Sequence, residues 1–230
     1  MFRNTAPADV ELPFSAKYDA GHSEAYHDKH RSSLRRRLSN RRDLQLARNA
    51  LALAGDPQWV LDLPCGAGRF WEVLGEHPAR QIIAADNSAA MLEVALRHCP
   101  AGLGGRLRPL HTSAFAIDLP DRSVDSIFCM RLLHHIGEPG HRLAILREFH
   151  RVTRDTVILS LWVDGNYLAW RRRRQEARRQ RRGNTAYQNR YVLPRATAEA
   201  EFAAAGFEII EHLDFLPLHS MWRIYVLRRI

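Results

Sequence analysis

The chain is poor in cysteine, nearly free of lysine and without a long apolar run. Its three cysteines, Cys65, Cys99 and Cys129, are odd in number and widely spaced, with no Cys-x-x-Cys pair. That spacing speaks against a disulfide framework or a cysteine-rich zinc site and fits reduced thiols in a cytosol. The longest apolar run, VILSLWV, is far short of a membrane span, and the opening MFRNTAPADVELPF lacks a basic flank ahead of an apolar core. The expectation is a cytoplasmic protein without a transmembrane segment, with peripheral contact at the inner face of a membrane as a variant of it. At 230 residues and a 46% hydrophobic share, one domain can bury a full core without staples.

Basic charge is what the chain has in excess, and it is concentrated. Residues 31–48 hold seven Arg and one Asp, and RRRRQEARRQRR at 171–182 holds eight Arg and one Glu. These stretches carry +6 and +7, so a net charge of +9 leaves −4 for everything else. A mildly acidic body with two basic arms favours a local anionic contact over a uniformly basic nucleic-acid coat. Two solvated helix faces are the plainer account of the same runs.

From residue 59 onward short apolar runs alternate with helical patterns: WVLDL, QIIAAD, RLRPLHT, VDSIFCM and TVILSLWV, separated by RFWEVLGEH, SAAMLEVALRHC and HRLAILREFHRV. This alternation predicts βαβ units, hence an α/β fold with a parallel sheet covered by helices on both faces. The tail departs from it. TAEAEFAAAG reads as a helix ended by Gly206, and FEIIEHLDF and MWRIYVLRR read as an antiparallel hairpin joined through Pro217. Residues 1–58 read as an N-terminal helical cap, and 59–230 as the α/β domain, with an Arg-rich insertion at about 166–195.

WVLDLPCGAGRFWEVL at 59–74 places Asp62 at the end of the first strand and Gly66 and Gly68 in the loop after it. In open α/β sheets a ligand sits at the carboxyl ends of the strands, where a Gly-rich first loop lets the backbone approach it. Asp86 ends the second predicted strand, where a carboxylate can accept hydrogen bonds from both hydroxyls of a ribose. A nucleoside-bearing cofactor follows. Counting G-x-G-x-x-G from Gly66 puts Trp71 where a dinucleotide site needs its third glycine, so a diphosphate is poorly served.

VLDLPCGAGRF resembles the first motif of class I S-adenosylmethionine-dependent methyltransferases, and AADNSAAML resembles their second. AIDLPDRSVDSIFCMRLLHHI is similar to the fourth-strand block of the small-molecule, type 11-like branch; LREFHRVTRDTVILSL and FAAAGFEIIE continue the order. The resemblance covers 59–165 well and 196–230 loosely. It implies a Rossmann-like, seven-stranded, mostly parallel sheet and S-adenosyl-L-methionine as cofactor. Carried onto this chain, it places Asp62, Pro64, Gly66 and Gly68 at the methionyl part and Asp86 on the ribose. Asn87, Met91, Ser113 and Ala114 fall near the adenine, and Met130 lies under the sulfonium. Pro64 stands at the family's first glycine, removing an N–H, and Ser113 stands where an Asp often faces the adenine amino group.

Methyl transfer from a sulfonium needs alignment more than chemical assistance. For a hydroxyl acceptor a general base helps, and His135, Tyr18, Tyr26 and His27 are the candidates, each equally readable as a packing or capping residue. His27 with His30, and His134 and His135 with His141, match no metalloprotease or deaminase spacing, and no metal site is expected. The resemblance implies that the cap and the Arg-rich insertion cover the substrate mouth, which points to an anionic small-molecule or lipid-linked acceptor. RNA is the other partner, since Tyr167, Trp170, Tyr187 and Tyr191 flank the Arg run and can stack on bases. An RNA methyltransferase, or a non-catalytic module of this fold binding RNA or anionic membrane, is the alternative.

Overall fold

The computed structural model describes residues 34–183 and 190–230. Tyr18, Tyr26, His27 and most of the expected cap therefore lie outside the described residues, as does Tyr187. Seven strands form one sheet: β1 (Trp59–Asp62), β2 (Gln81–Asp86), β3 (Leu107–His111), β4 (Val124–Cys129), β5 (Thr153–Trp162), β6 (Phe207–Asp214) and β7 (Trp222–Arg229). Their order is β3-β2-β1-β4-β5-β7-β6. Strands β1 to β5 run parallel, and β7 lies antiparallel between β5 and β6. The helices are α1 (Leu34–Leu53), α2 (Trp71–Leu74), α3 (Ala89–Arg97), α4 (Pro139–Val152), α5 (Tyr167–Arg181) and α6 (Arg195–Ala204).

The apolar runs of the central strands are buried on both faces because helices cover both. Side chains alternate along each strand, so Val60, Phe128 and Ile158 face α1, α2 and α3 through Leu46, Leu51, Leu74 and Leu92. Leu61, Ile127 and Val157 face the other way, onto Ile145, Phe149 and Phe202 of α4 and α6.

The helical pattern after the first glycine loop yields a single turn, α2. Its end is fixed by arginines: buried Arg80 donates to the carbonyls of Leu74 and Pro57 at 3.2 and 2.8 Å. Arg106 donates to those of Gly75 and His77 at 3.1 and 2.8 Å. Carbonyls that a longer helix would use are thus satisfied by guanidinium groups. Helix α3 starts where Ser88 accepts from the N–H of Met91 at 3.3 Å, and α5 where Asn166 accepts from Ala169 at 2.9 Å.

The sheet margins carry irregularities. Pro109 lies on edge strand β3 and has no N–H to donate, and the β6–β7 register shifts between Ile209 and Glu211.

Candidate active site

The strand order reverses at β1, whose neighbours are β2 and β4, so a crevice opens at the carboxyl end of β1. The loop leaving β1 bridges both neighbours: Leu63 N–H donates to the Phe128 carbonyl at 3.1 Å and Cys65 N–H to that of Ala85 at 2.8 Å. Gly66 follows with φ +53°, a conformation that favours glycine. This bend aims its N–H at Asp86 Oδ2, 3.0 Å away, while Ser88 N–H donates to Oδ1 at 3.0 Å. Asp86 is only 5% exposed. Burial raises its pKa above the ordinary carboxylate value, and the Ser88 and Gly66 N–H groups hold the rise down. The Asn87 N–H adds to these two, and a carboxylate, with about four lone-pair sites, still keeps acceptor capacity for a further donor.

A cleft of about 1030 Å³, counted to its open mouth, begins at this carboxylate. Of the residues singled out in the sequence, Pro64, Gly66, Asp86, Asn87, Met91, Ser113, Ala114, Met130 and His135 line it. Asp62 and Gly68 are not among its lining residues. Asp62 is 2% exposed and accepts from Trp71 Nε1 at 3.0 Å. Burial pushes its pKa well above the usual range, the indole N–H opposes this, and nearby Asp86 adds to it. Gly68, at φ +73°, makes room for that indole: a Cβ there would lie 2.7 Å from Trp71 Cε3. The bulk that excludes a third fingerprint glycine is therefore built into the floor behind the loop. Burial also raises the pKa of Cys65 and Cys129, keeping them as thiols.

The far wall is the segment after β3. Thr112 Oγ1 accepts from Asp118 N–H at 2.9 Å and donates to the Ala116 carbonyl at 3.1 Å. Ser113 Oγ accepts from Phe115 N–H at 3.2 Å, which leaves its own proton and one lone pair.

Arg69, Phe70, Phe115, Arg131, Leu132 and Ile145 also line the cleft and were not singled out from the sequence. Arg69 follows Gly68 and Arg131 follows Met130, so adjacency to the motif positions was the available signal. What these arginines do depends on α1. Asp43 Oδ2 accepts from Arg69 at 2.5 Å and from Arg131 at 2.7 Å, and Asn40 accepts from Arg69 Nε at 2.9 Å. Arg131, at φ +66°, is further fixed by its N–H to Ser160 Oγ at 2.8 Å and lies 4.9 Å over the Trp222 ring. A shallow recess adjoins the cleft, sharing Phe70, Met130 and Arg131 with it and lined also by Leu46, Phe215, Trp222 and Ile224.

The two histidines of LLHHI separate. His135 is half-buried and lines the cleft. His134 is buried, stacked 5.0 Å from Trp162 and edge-on 4.9 Å from Trp222. Burial, then His135 and the guanidinium groups of Arg190, Arg131 and Arg172, push its pKa down to about 2, so it stays neutral. Among the described residues, no group of three or more His, Cys, Asp or Glu is placed to hold a metal ion. Among them, too, no helix is long and apolar enough to cross a membrane.

A Gly-bent loop at the switch point, an acid ending β2 and an antiparallel β7 inserted beside β5 define the class I methyltransferase fold. Residues 60–156 match the family model described as a methyltransferase domain. Magnesium protoporphyrin IX methyltransferase of Synechocystis PCC 6803, solved with bound SAH, superposes with a TM-score of 0.67 at 14% identity. The match covers 86% of this chain and 89% of that one. Human N-acetylserotonin methyltransferase in complex with SAM gives 0.66 at 16% identity, covering 97% and 60%. A tRNA U34 carboxymethyltransferase of Shewanella woodyi is 32% identical over 113 residues, 46% of this chain. The match spans 32% of that relative's length.

Proposed function

We propose that the protein transfers a methyl group from S-adenosylmethionine to a small-molecule or lipid-linked, anionic acceptor. The observation that carries this reading is Asp86. It is buried, held from behind by backbone N–H groups and open in front to a cleft large enough for a nucleoside. A carboxylate with acceptor capacity left at that depth suits the two hydroxyls of a ribose. The cofactor, when bound, supplies an electrophilic methyl group on a sulfonium.

The chain's own residues bind, orient and exclude water. Asp86 holds the ribose; Asn87, Met91, Ser113 and Ala114 flank the adenine; Pro64, Gly66 and the Met130 backbone border the methionyl and sulfonium side. Asp62 and Gly68 act from behind the loop, through the indole of Trp71, as positioning residues. Phe70, Phe115 and Leu132 keep the cleft dry, which favours an in-line displacement that needs mainly alignment. Arg69, Arg131 and Asp43 together carry a net positive charge at the cleft, favouring an anionic acceptor. His135 is the candidate base that lines the cleft, and it would take the proton of a hydroxyl acceptor.

Titration calorimetry with S-adenosylhomocysteine tests the reading. The wild-type protein is expected to bind, and Asp86→Ala to bind about 100-fold more weakly, as two charge-assisted hydrogen bonds predict. No binding to the intact protein at millimolar ligand, or unchanged affinity in the variant, overturns it.

An RNA acceptor is the second reading, supported by the stretch shared with the Shewanella tRNA enzyme. It predicts cofactor-independent tRNA retention on filters with a steep loss at rising salt.

A further inference from the structure

We propose that the outer face of α5, together with the β6–β7 loop, is a docking surface for an anionic lipid bilayer. Helix α5 leaves the carboxyl end of β5, and the loop connects β6 to the start of β7, which pairs with that same end through Trp162 and Trp222. Both therefore stand at the end of the sheet where the cleft opens.

The residues of α5 divide by helical angle. Ala169 is buried and Leu168, Arg172 and Glu176 are half-buried, marking the body side, where Arg172 pairs with Glu176 at 2.7 Å. Tyr167, Trp170, Arg171, Arg174, Arg178 and Arg181 each lie three or four positions from another of the set, and all are exposed. Side chains so spaced share a face. This face begins with two aromatic rings and continues as a ladder of four arginines, about 20 Å long at 1.5 Å per residue.

Its aromatic end is continuous with an aliphatic tip. Tyr167 stacks on His219 at 5.5 Å, and its N–H donates to the Leu218 carbonyl at 2.9 Å. Leu218, at φ +61°, is 83% exposed, and Leu216 is 48% exposed. Aliphatic side chains beside Trp and Tyr, flanked by arginines, match the layering of a bilayer surface. The rings belong at headgroup level, the leucines just below, and the guanidinium groups on lipid phosphates.

Nucleic acid fits less well. Leu216 and Leu218 have no counterpart on a polynucleotide. One face each of Tyr167 and Trp170, which would stack on bases, is already covered by His219 and by Arg174, whose Cζ lies 4.8 Å over the Trp170 ring.

The test is co-sedimentation of the intact protein, without cofactor, with phosphatidylcholine vesicles containing or lacking equal phosphatidylglycerol, in roughly 0.15 M salt. Because no cofactor is added, its outcome is separate from that of the methyl-transfer reading. Binding is expected on the anionic vesicles alone. Arg174→Gln with Arg178→Gln should weaken it about 25-fold, at about fivefold per arginine. Leu218→Ser should weaken it about fivefold or more. Quenching of tryptophan fluorescence by brominated lipid should fall in Trp170→Phe, and unchanged thermal melting in each variant confirms that the fold is retained. Equal binding to neutral vesicles, no effect of Leu218→Ser, or retention of a single-stranded RNA through the same arginines without vesicle binding overturns the proposal.

Discussion

Helices α1 and α5 are both rich in arginine, yet they differ in where those arginines are tied. On α1, Arg42 and Arg48 reach back to the body, while Arg36, Arg37 and Arg41 are exposed. Arg42 donates to the carbonyls of Phe215 and Asp214 at 3.1 and 3.4 Å, and Arg48 makes a forked contact with Glu76 at 2.7–2.9 Å. Between them Asp43 draws in Arg69 and Arg131 from the cleft. On α5, past Ala169, only Arg172 and Glu176 are even half-buried. A basic run thus says little about a partner until its contacts are known: the first run is tied to the body through Arg42, Arg48 and the Asp43 bridge, and the second at its root, where Arg172 donates to the Arg190 carbonyl and Arg173 to Asp164, with Arg174, Arg178 and Arg181 exposed beyond it.

Removing charge from each helix should break this symmetry of composition. Asp43→Ala leaves Arg69 and Arg131 partly buried without their shared carboxylate and should cost about 3 kcal/mol, measured by denaturant unfolding. A loss under 0.5 kcal/mol would mean that α1 is not anchored through Asp43.

At the root of α5, beneath Arg172 and Arg190, His134→Phe keeps a ring between the tryptophans but removes the titration. An unfolded histidine takes a proton below about pH 6.5, whereas His134 in the fold resists until about pH 2. Its contribution to stability is therefore full above pH 6.5 and lost as pH falls through that value. At pH 5 the wild type should be about 2 kcal/mol less stable than at pH 7.5 relative to the variant. Asp62 runs the other way, since its raised pKa adds stability as pH falls, but it is present in both proteins and cancels in the difference. A constant difference across pH would refute the neutral, buried assignment.

Arg42→Ala should cost about 1 kcal/mol, from hydrogen bonds at a partly exposed site. Arg178→Ala and Arg181→Ala should each change stability by less than about 0.5 kcal/mol. If the two helices responded alike, the contrast between them would fail.

Much of the sheet was legible because strand runs such as VDSIFCM and TVILSLWV have the right length, spacing and bounding turns. The cleft was legible where chain adjacency builds it: Gly66 and Asp86 meet because a loop after β1 must pass the end of β2. Asp62 was legible as a residue but not as a contact. Its partner Trp71 reads as an obstacle until Gly68 is seen to leave the indole a flat place to rest. The Asp43 bridge was invisible, since it joins positions 26 and 88 residues apart on elements with no common pattern. Helix α2 was overread for the same reason: the arginines that end it, Arg80 and Arg106, come from beyond the segment.

The two sheet margins limit how molecules of this kind can associate. A strand approaching along β3 meets a missing donor at Pro109, and one approaching β6 meets a local kink near Ile209. Neither border offers a straight, fully equipped template for lateral growth. Crowded solutions of this protein are thereby guarded against fibre-like stacking, and productive encounters are left to the pole where the strands point.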